Sequence, residues 1–348
     1  MAKIPYKSPT SPSALFKDLV KMKRSRLTPR ARKARRKQTK RWLYPISKER
    51  QYAKFIVSIM ARFSAIAIPK IRDNLKRWIQ SYKPDRADIL KIDSRLDGFS
   101  DEYGQIDLEL EAEFGNIFLE GATTKGNVIN KAYMSQELQT LGIDTSNWNQ
   151  IQWIKFVEAA TGLSTALPEP WLMEVVSAWK NTNFSMIKSL SQDYIKEMNR
   201  IVHSGVMSGK PYDQVMREIL EKDWNLTKYK AKFLARDQIG KLNGQMSKRR
   251  QQEAGLDLYE WSTSRDDRVR DTHDVLDGKI CTFSDDTVYA DTVEDALNGE
   301  WQDRSSIGAF EGIPGEDYQC RCTNLPVVTD LLDEVDSEIE ETEQENDE

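Results

Sequence analysis

Two cysteines and a histidine in the C-terminal part of the chain are the residue types of a zinc site. Cys320 and Cys322 are at positions i and i+2, so on a strand both side chains point to one face. A disulfide across a one-residue loop would be strained. Two thiolates form half of a tetrahedral zinc site, His273 could be a third ligand, and Asp317 or Asp271 could be the fourth. The other interpretation is a pair of small buried residues beside a histidine that hydrogen-bonds to the backbone.

Arginines and aspartates cluster just before this histidine. Residues 264–273 read SRDDRVRDTH, so Arg268 and Arg270 stand among three aspartates. One interpretation is a salt-bridge network that fixes a loop, and the other is a surface that binds a carboxylate or phosphate of a partner. The abundance of acids favours the structural interpretation.

The net charge of −4 conceals a strongly uneven charge distribution. Residues 1–50 contain 17 lysines or arginines and two acids, whereas residues 329–348 contain 11 acids and no base. A basic segment attracts nucleic acid without much sequence preference. The alternatives are an acidic protein partner or a solvated tail without a partner. We expect nucleic-acid contacts from Lys21, Lys23, Arg24, Arg26, Arg30, Arg32, Lys33, Arg35, Arg36 and Lys37.

The sequence gives little support for a membrane protein or for the commonest classes of enzyme. The longest apolar run, residues 55–68, has 14 residues and contains Arg62, whereas a spanning helix needs about 20. The chain has no Gly-x-Ser-x-Gly nucleophile motif and no Gly-x-x-x-x-Gly-Lys-Ser/Thr phosphate loop. A Cys/His or Ser/His arrangement around His273 is the remaining route to catalysis. We therefore expect neither membrane insertion nor enzymatic activity.

The elements that must position these residues are mostly helices. Apolar residues recur at helical spacing through about residue 255, and alternating aromatic residues (LYEWSTS) then predict a strand from residue 258. CRCTNLPVV, residues 320–328, predicts another strand. The fold class is thus a mainly α N-terminal and central region with a small α+β C-terminal domain and disordered basic and acidic tails. Predicted helices cover residues 47–82 (broken at Pro69), 85–114, 145–161, 170–203, 212–222 and 227–254.

Several motifs of the C-terminal part occur together. Ala235-Arg236 lies on a predicted helix and Trp261 on a strand, residues 266–273 read DDRVRDTH, and Gly278 and the Cys-Arg-Cys of residues 320–322 follow. Over residues 170–328 this combination resembles the phage Mu F-like minor head proteins, also called phage head morphogenesis proteins. Many relatives have a histidine three places before the first cysteine, where this chain has an aspartate, and this departure weakens a four-ligand metal site.

The resemblance implies a virion component that is not an enzyme. It implies incorporation in few copies during procapsid assembly, at the portal vertex inside the capsid, after synthesis in the host cytoplasm. The implied partners are the portal protein, capsid or scaffold proteins and packaged double-stranded DNA, with no membrane. The motif residues that it assigns to structure are Arg236, Trp261, Asp267, Arg268, Arg270 and Gly278.

Four segments follow from these patterns. We predict a basic, disordered arm (1–46), a helical region (47–169), a Mu F-like head morphogenesis domain (170–328) and an acidic, disordered tail (329–348). Two other functions stay open. One is a non-specific DNA-binding protein without a capsid role, and the other is a zinc-dependent enzyme.

Overall fold

Helices dominate the described part of the protein, and the strands observed there lie toward the C-terminus. The computed structural model describes residues 11–36, 42–81, 131–164 and 166–347. The predicted helix over residues 85–114 lies outside these ranges. The helices are α1 (Pro12–Arg24), α2 (Pro29–Arg36), α3 (Ile46–Ser81), α4 (Lys131–Thr161), α5 (Leu172–Met207), α6 (Tyr212–Glu253), α7 (Asp271–Asp274), α8 (Val293–Leu297) and α9 (Thr329–Asp347). The strands are β1 (Leu258–Ser262), β2 (Ile280–Thr282), β3 (Val288–Tyr289), β4 (Gln302–Asp303) and β5 (Thr323–Pro326), and a 3₁₀ turn covers Arg304–Ile307.

The mainly α fold with a small C-terminal α+β region is confirmed, although two helix breaks were predicted wrongly. Pro69 lies inside α3 instead of ending it. Because proline has no N–H, the carbonyl of Ala65 loses its hydrogen-bond partner within the helix. The side chains of Pro69 and Ala65 are both exposed, so water can donate a hydrogen bond to that carbonyl. The helices predicted over residues 212–222 and 227–254 are one helix, α6. No proline or glycine occurs between Tyr212 and Gly240, so nothing in that stretch stops the helix.

The described residues form two compact units. The first comprises the described parts of Met1–Lys48 together with Ile143–Met173 and Arg236–Glu348. The second comprises those of Glu49–Gly142 together with Glu174–Ala235. Each unit combines segments that are distant in the sequence, so the units do not coincide with the linear segments predicted above.

The second unit is helical in its described part. The hydroxyl of Tyr52 on α3 donates a hydrogen bond of 2.6 Å to Oδ1 of Asn183 on α5. Phe63 and Tyr194 on the same two helices pack edge to face, with ring centroids 5.6 Å apart. Helix packing between apolar stripes, as their spacing predicts, thus builds this core.

The first unit contains an antiparallel sheet of order β2-β1-β5. Tyr259 pairs with Cys281 on one side of β1, and Trp261 pairs with Asn324 on the other. Tyr259 and Trp261 alternate with half-buried residues and point into the core, as the aromatic alternation predicts. Through Trp261 this sheet contributes to the buried cluster that also contains Cys320 and Cys322.

The acidic segment is a helix, so the prediction of a disordered tail is wrong for residues 329–347. Leu332, Val335 and Ile339 on α9 are buried in the core of the first unit. Their spacing of i, i+3 and i+7 places them on one face of the helix. That apolar stripe is enough to fold the segment despite its charge.

The described part of the basic segment is also folded, against the same core. Phe16 and Val20 on α1 and Trp42 are buried there, and the ring of Trp42 packs against Phe156. The prediction of a disordered arm is therefore wrong for residues 11–36, while residues 1–10 and 37–41 lie outside the described residues.

Basic and acidic side chains pair between the two segments. These ion pairs are Lys17 with Glu334 (2.6 Å) and Glu338 (2.7 Å), Lys21 with Glu338 (2.7 Å), Arg24 with Asp336 (2.6 Å) and Arg32 with Glu343 (3.3 Å).

In the described ranges, no helix has both the length and the apolar character that crossing a bilayer requires.

Candidate metal centre

His273, Cys320 and Cys322 converge in the core of the first unit. Nδ1 of His273 lies 3.5 Å from the sulfur of Cys320 and 3.4 Å from that of Cys322. The three candidate ligand atoms all lie within 4.8 Å of one another, and all three residues are buried. The structure therefore brings together three of the residues that the sequence predicted as ligands.

Asp317 is not a direct ligand of this cluster, so its assignment as a metal ligand is corrected. Its Oδ2 lies 3.0 Å from Nε2 of His273, the ring nitrogen opposite to the one that faces the sulfurs. Arg270 pairs with the same carboxylate oxygen at 3.0 Å. Asp271, the other suggested fourth ligand, is exposed at the start of α7. Asp317 thus orients the imidazole and fixes which nitrogen faces the sulfurs.

A short helix and two aromatic rings hold His273. Helix α7 follows extended backbone at Arg270, whose carbonyl accepts the N–H of His273 at 2.9 Å. The imidazole lies edge to face with Trp261, at 5.5 Å between centroids, and 4.9 Å from the ring of Phe310. The imidazole is only 2% exposed, so its orientation is set by packing and by Asp317.

The two cysteines lie in a loop that ends at β5, and not within a strand as predicted. Gln319 has φ +57°, and this left-handed residue turns the chain into Cys320. The N–H of Gln319 donates to Oδ1 of Asp237 on α6 at 3.0 Å. The N–H of Cys322 then donates to the sulfur of Cys320 at 3.3 Å. A turn rather than strand alternation directs both thiols toward the histidine.

Two glycines of α6 allow the cysteine loop to approach the helix. A Cβ atom at Gly240 would lie 2.6 Å from the carbonyl oxygen of Cys320, and one at Gly244 would lie 2.3 Å from that of Pro314. Real Cβ atoms do not approach backbone oxygens so closely. Only glycine therefore fits at these two positions while the loop stays in place.

Contact between the two thiols shifts their pKa values in opposite directions. A hydrogen bond from the Cys322 thiol, with a further contribution from His273, lowers the pKa of Cys320 well below its ordinary value. The same hydrogen bond, together with burial, raises the pKa of Cys322.

Comparisons with known proteins agree with the motifs in this part of the chain. Residues 196–325 match the family described as "Phage Mu protein F like protein", and this span contains the entire cluster with Asp317 and the α6 glycines. We refer to residues 196–325 as the Mu F-like segment because of this match. The chain is also similar to an uncharacterized protein of Haemophilus influenzae (strain ATCC 51907 / DSM 11121 / KW20 / Rd). The two are 27% identical over 229 residues, which are 66% of this chain and 42% of that protein. The chain thus spans less than half the length of that relative. No solved structure matches the chain.

The motif arginines Arg268 and Arg270 contact acids and carbonyls of the same segment. Arg268 pairs with Asp266 at 3.1 Å, and Arg321 pairs with the same carboxylate. Although burial acts to raise it, these arginines hold the pKa of Asp266 below its ordinary value. Arg270 also donates to the carbonyl of Tyr318 at 2.6 Å. These contacts favour the network interpretation of the motif over the partner-binding one.

The remaining motif residues of the Mu F-like segment have diverse environments. Trp261 is fully buried, and its carbonyl accepts the N–H of Gly278 at 2.8 Å. Gly278 has φ +82°, which explains why glycine occupies that turn. Asp267 is exposed, and Arg236 is half-buried, with its carbonyl accepting the hydroxyl of Tyr44 at 3.2 Å.

The sequence did not indicate that Arg304 is a buried hydrogen-bond donor within the Mu F-like segment. Its side chain is fully buried and donates to the carbonyls of Val288 (3.0 Å) and Gly312 (2.6 Å). Its guanidinium also lies over the ring of Trp261, at 5.5 Å. Arg304 thereby connects β3 to the loop that leads to Cys320. The local sequence WQDRSS carries no signal for such burial.

The ten predicted nucleic-acid-binding residues divide into distinct groups. Arg24 and Arg32 are buried against acids of α9 and cannot contact DNA in this conformation, so those two assignments are corrected. Lys21 pairs with Glu338, and Arg35 donates to the carbonyl of Glu158 at 2.8 Å. The side chain of Arg36 and all of Lys37 lie outside the described residues. The exposed members are Lys23, Arg26, Arg30 and Lys33.

Proposed function

We propose that this chain is a structural protein of a phage head. In this proposal it is incorporated in few copies during procapsid assembly, inside the capsid at the portal vertex, where it contacts portal and capsid or scaffold proteins. The observation that carries the proposal is the family match over residues 196–325. The motif residues of that span are used for internal contacts, which suits a structural body better than a catalytic one.

Packaged DNA is the proposed partner of the exposed cations on α1, on α2 and in the connection between them. Lys23, Arg26, Arg30 and Lys33 are exposed within ten residues of one another along the chain. Such a cluster attracts a phosphate backbone through counterion release and needs no base-specific contact. Double-stranded DNA at the portal vertex is the polyanion that this location supplies.

The capsid role is tested by mass spectrometry of phage particles and procapsids from cells that produce the protein. We expect a few copies per particle, together with the portal protein. The variant K23Q/R26Q/R30Q/K33Q should be incorporated equally well, because the proposed docking does not use those cations. Absence of the wild-type chain from both particles would overturn the capsid role and leave DNA binding as the leading function.

DNA contact is tested by the salt dependence of binding to a duplex of arbitrary sequence. Each lost phosphate contact should reduce the slope of log K against log salt by about 0.9, so the quadruple variant should show a flatter response. A matched control removes four exposed arginines elsewhere, in the variant R72Q/R217Q/R249Q/R265Q. Equal slopes for the two variants would contradict the assignment of these four cations.

The chain also places a thiol, an imidazole and a carboxylate in the order of a Cys–His–Asp relay. Cys320 and His273, however, are 4% and 2% exposed, which leaves little surface for a substrate. We therefore assign the cluster a structural role. The variant H273A should lower the thermal unfolding temperature, and loss of a turnover activity in a variant of unchanged stability would reverse this assignment.

A further inference from the structure

We propose that His273, Cys320 and Cys322 bind one zinc ion, with Asp317 as the hydrogen-bond partner that orients the histidine. This inference rests on the geometry of the cluster and not on the proposed role in the phage head. In this proposal the zinc ion holds the loop between the 3₁₀ turn and β5 against α7.

The distances between the three ligand atoms fit a single tetrahedral ion. Zinc lies about 2.3 Å from a thiolate sulfur and about 2.0–2.1 Å from an imidazole nitrogen, so a tetrahedral angle separates sulfur from nitrogen by about 3.5–3.6 Å. The observed separations from Nδ1 of His273 are 3.5 Å to Cys320 and 3.4 Å to Cys322. Both atom pairs therefore have the length of an edge of the zinc tetrahedron.

The hydrogen-bond partners outside the cluster are those of a zinc-bound histidine. Histidine ligands usually donate their second ring N–H to a carboxylate, which fixes the tautomer and raises the basicity of the ligating nitrogen. Nε2 of His273 lies 3.0 Å from Oδ2 of Asp317 in this arrangement. Arg270 pairs with the same carboxylate at 3.0 Å, so its negative charge is balanced on the solvent side.

A tryptophan next to the sulfurs supplies an independent observation. Nε1 of Trp261 is buried without a hydrogen-bond partner that satisfies normal geometry. The same indole lies edge to face against His273, in the buried cluster that also contains both cysteines. A buried N–H without an oxygen acceptor is costly, and a metal-bound thiolate is an acceptor for it.

Charge balance favours a divalent ion such as zinc over Cu⁺. Two buried thiolates, a neutral imidazole and Zn²⁺ sum to zero, whereas Cu⁺ with the same ligands leaves one uncompensated negative charge in an apolar core. The fourth coordination position is taken by a water molecule in this proposal.

Zinc would join parts of the chain that are far apart in sequence. Cys320 and Cys322 are 47 and 49 residues from His273, and the ligands lie on the cysteine loop and on α7. The surrounding region consists of strands of two to five residues and short helices. A metal bound only by the folded state adds its binding free energy to the stability of such a region.

The first experiment measures metal content in the full-length, untagged protein. We expect about one zinc per chain by inductively coupled plasma mass spectrometry. Chelation should lower the thermal unfolding temperature, and added zinc should restore it. Cobalt exchanged into the site should give thiolate-to-cobalt charge-transfer absorption and the intense visible bands of tetrahedral coordination.

Matched variants identify the ligands. C320S and C322S should each lose the zinc, whereas C281S, which changes a buried cysteine outside the cluster, should retain it. D317N should keep the site but weaken zinc affinity by about 10–100-fold, as expected for a second-layer partner.

Three results would overturn the proposal. They are a wild-type protein that is folded but free of metal after purification in zinc-supplemented medium, zinc retained by C320S, and copper bound in preference to zinc. If the serine variants fail to fold, the cobalt spectrum of the wild-type protein still decides the question. Incorporation into phage particles is measured separately, so failure of the zinc site leaves the proposed function intact.

Discussion

Arg24 illustrates how a residue that looks suited to DNA is used inside the fold. Its guanidinium is fully buried and forms two hydrogen bonds with Asp336, of 2.7 and 2.6 Å, and a third with the carbonyl of Ala160 at 3.1 Å. This geometry satisfies both sides of the planar guanidinium. Arg250 is similar, since it pairs with Glu169 at 2.6 Å and lies over the ring of Trp171.

Removing Arg24 should therefore be strongly destabilising. Arg24→Met leaves the buried carboxylate of Asp336 without its guanidinium, which we expect to cost about 3–5 kcal/mol of unfolding free energy. Denaturant unfolding measures this loss. The control Arg26→Met changes an exposed arginine two residues after α1 and should have little effect. The double variant R24M/D336L should recover most of the loss, and a single variant as stable as the wild type would contradict the argument.

At the scale of elements, opposite charges join α1 to α9. Lys17 and Lys21 both lie 2.7 Å from the carboxylate of Glu338. The two lysines lower the pKa of Glu338 to about 2, and the acids of α9 raise the pKa of Lys17. The pairing is exposed to solvent, so each pair adds little by itself.

The pH dependence of this pairing follows from the two pKa directions. Glu338 has a lowered pKa, so its contribution is present above its ordinary value of 4.5 and is lost as pH falls toward about 2. Lys17 has a raised pKa, so its contribution is complete below 10.5 and is lost at higher pH. We expect E338Q to be less stable than the wild type at about pH 7, with a difference that vanishes as pH falls through this range. Urea unfolding of both proteins measures it, and a difference that persists at the acid end would contradict the assignment.

The contact between α6 and the cysteine loop depends on its two glycines. Gly240→Ala places a Cβ atom 2.6 Å from the carbonyl of Cys320, so the loop must shift. We expect a loss of about 1–3 kcal/mol from this overpacking, together with weaker zinc binding. Thermal unfolding and zinc titration measure the two effects.

Gln245→Ala provides the control for that substitution. Gln245 is exposed on the same helix, and alanine there should be neutral or slightly stabilising. If Gly240→Ala behaved like this control, the close approach of loop and helix would not matter for stability.

At the scale of the whole molecule, the acidic segment neutralises part of the basic one within a single chain. The sequence left nucleic acid and an acidic protein as alternative partners of the basic segment. The structure supplies an acidic partner from the chain itself, since α9 pairs with Lys17, Lys21 and Arg32. DNA binding by these cations must therefore compete with α9.

This competition predicts that weakening the acidic face strengthens DNA binding. The variant E334Q/E338Q/E343Q keeps the buried apolar stripe of α9 and releases the three cations named above. We expect a salt slope steeper by up to about 0.9 for each cation that reaches a phosphate. Fluorescence anisotropy with a labelled duplex measures the slope at several salt concentrations.

A control with the same change in net charge separates this effect from general electrostatics. The variant E294Q/E300Q/E311Q removes three exposed acids outside α9. A slope that rises equally in both triple variants would show that net charge, and not release of the basic helices, controls DNA binding.

Composition and local periodicity determined the fold class and the ligand candidates. Helical stripes and the aromatic alternation of β1 are local patterns, and each was predicted from neighbouring residues. His273, Cys320 and Cys322 were predicted from residue type alone. The apolar spacing of Leu332, Val335 and Ile339 was also present in the sequence, but the density of acids concealed it.

The tertiary structure alone decided what each of these residues contacts. The role of Asp317 depends on which imidazole nitrogen it faces, and that follows from packing between α7 and the cysteine loop. The burial of Arg24 depends on Asp336, which is 312 residues away. Charge in a sequence indicates only that a partner is needed. Whether solvent, DNA or the same chain supplies that partner depends on long-range packing, because burial makes pairing within the chain stronger than pairing in water.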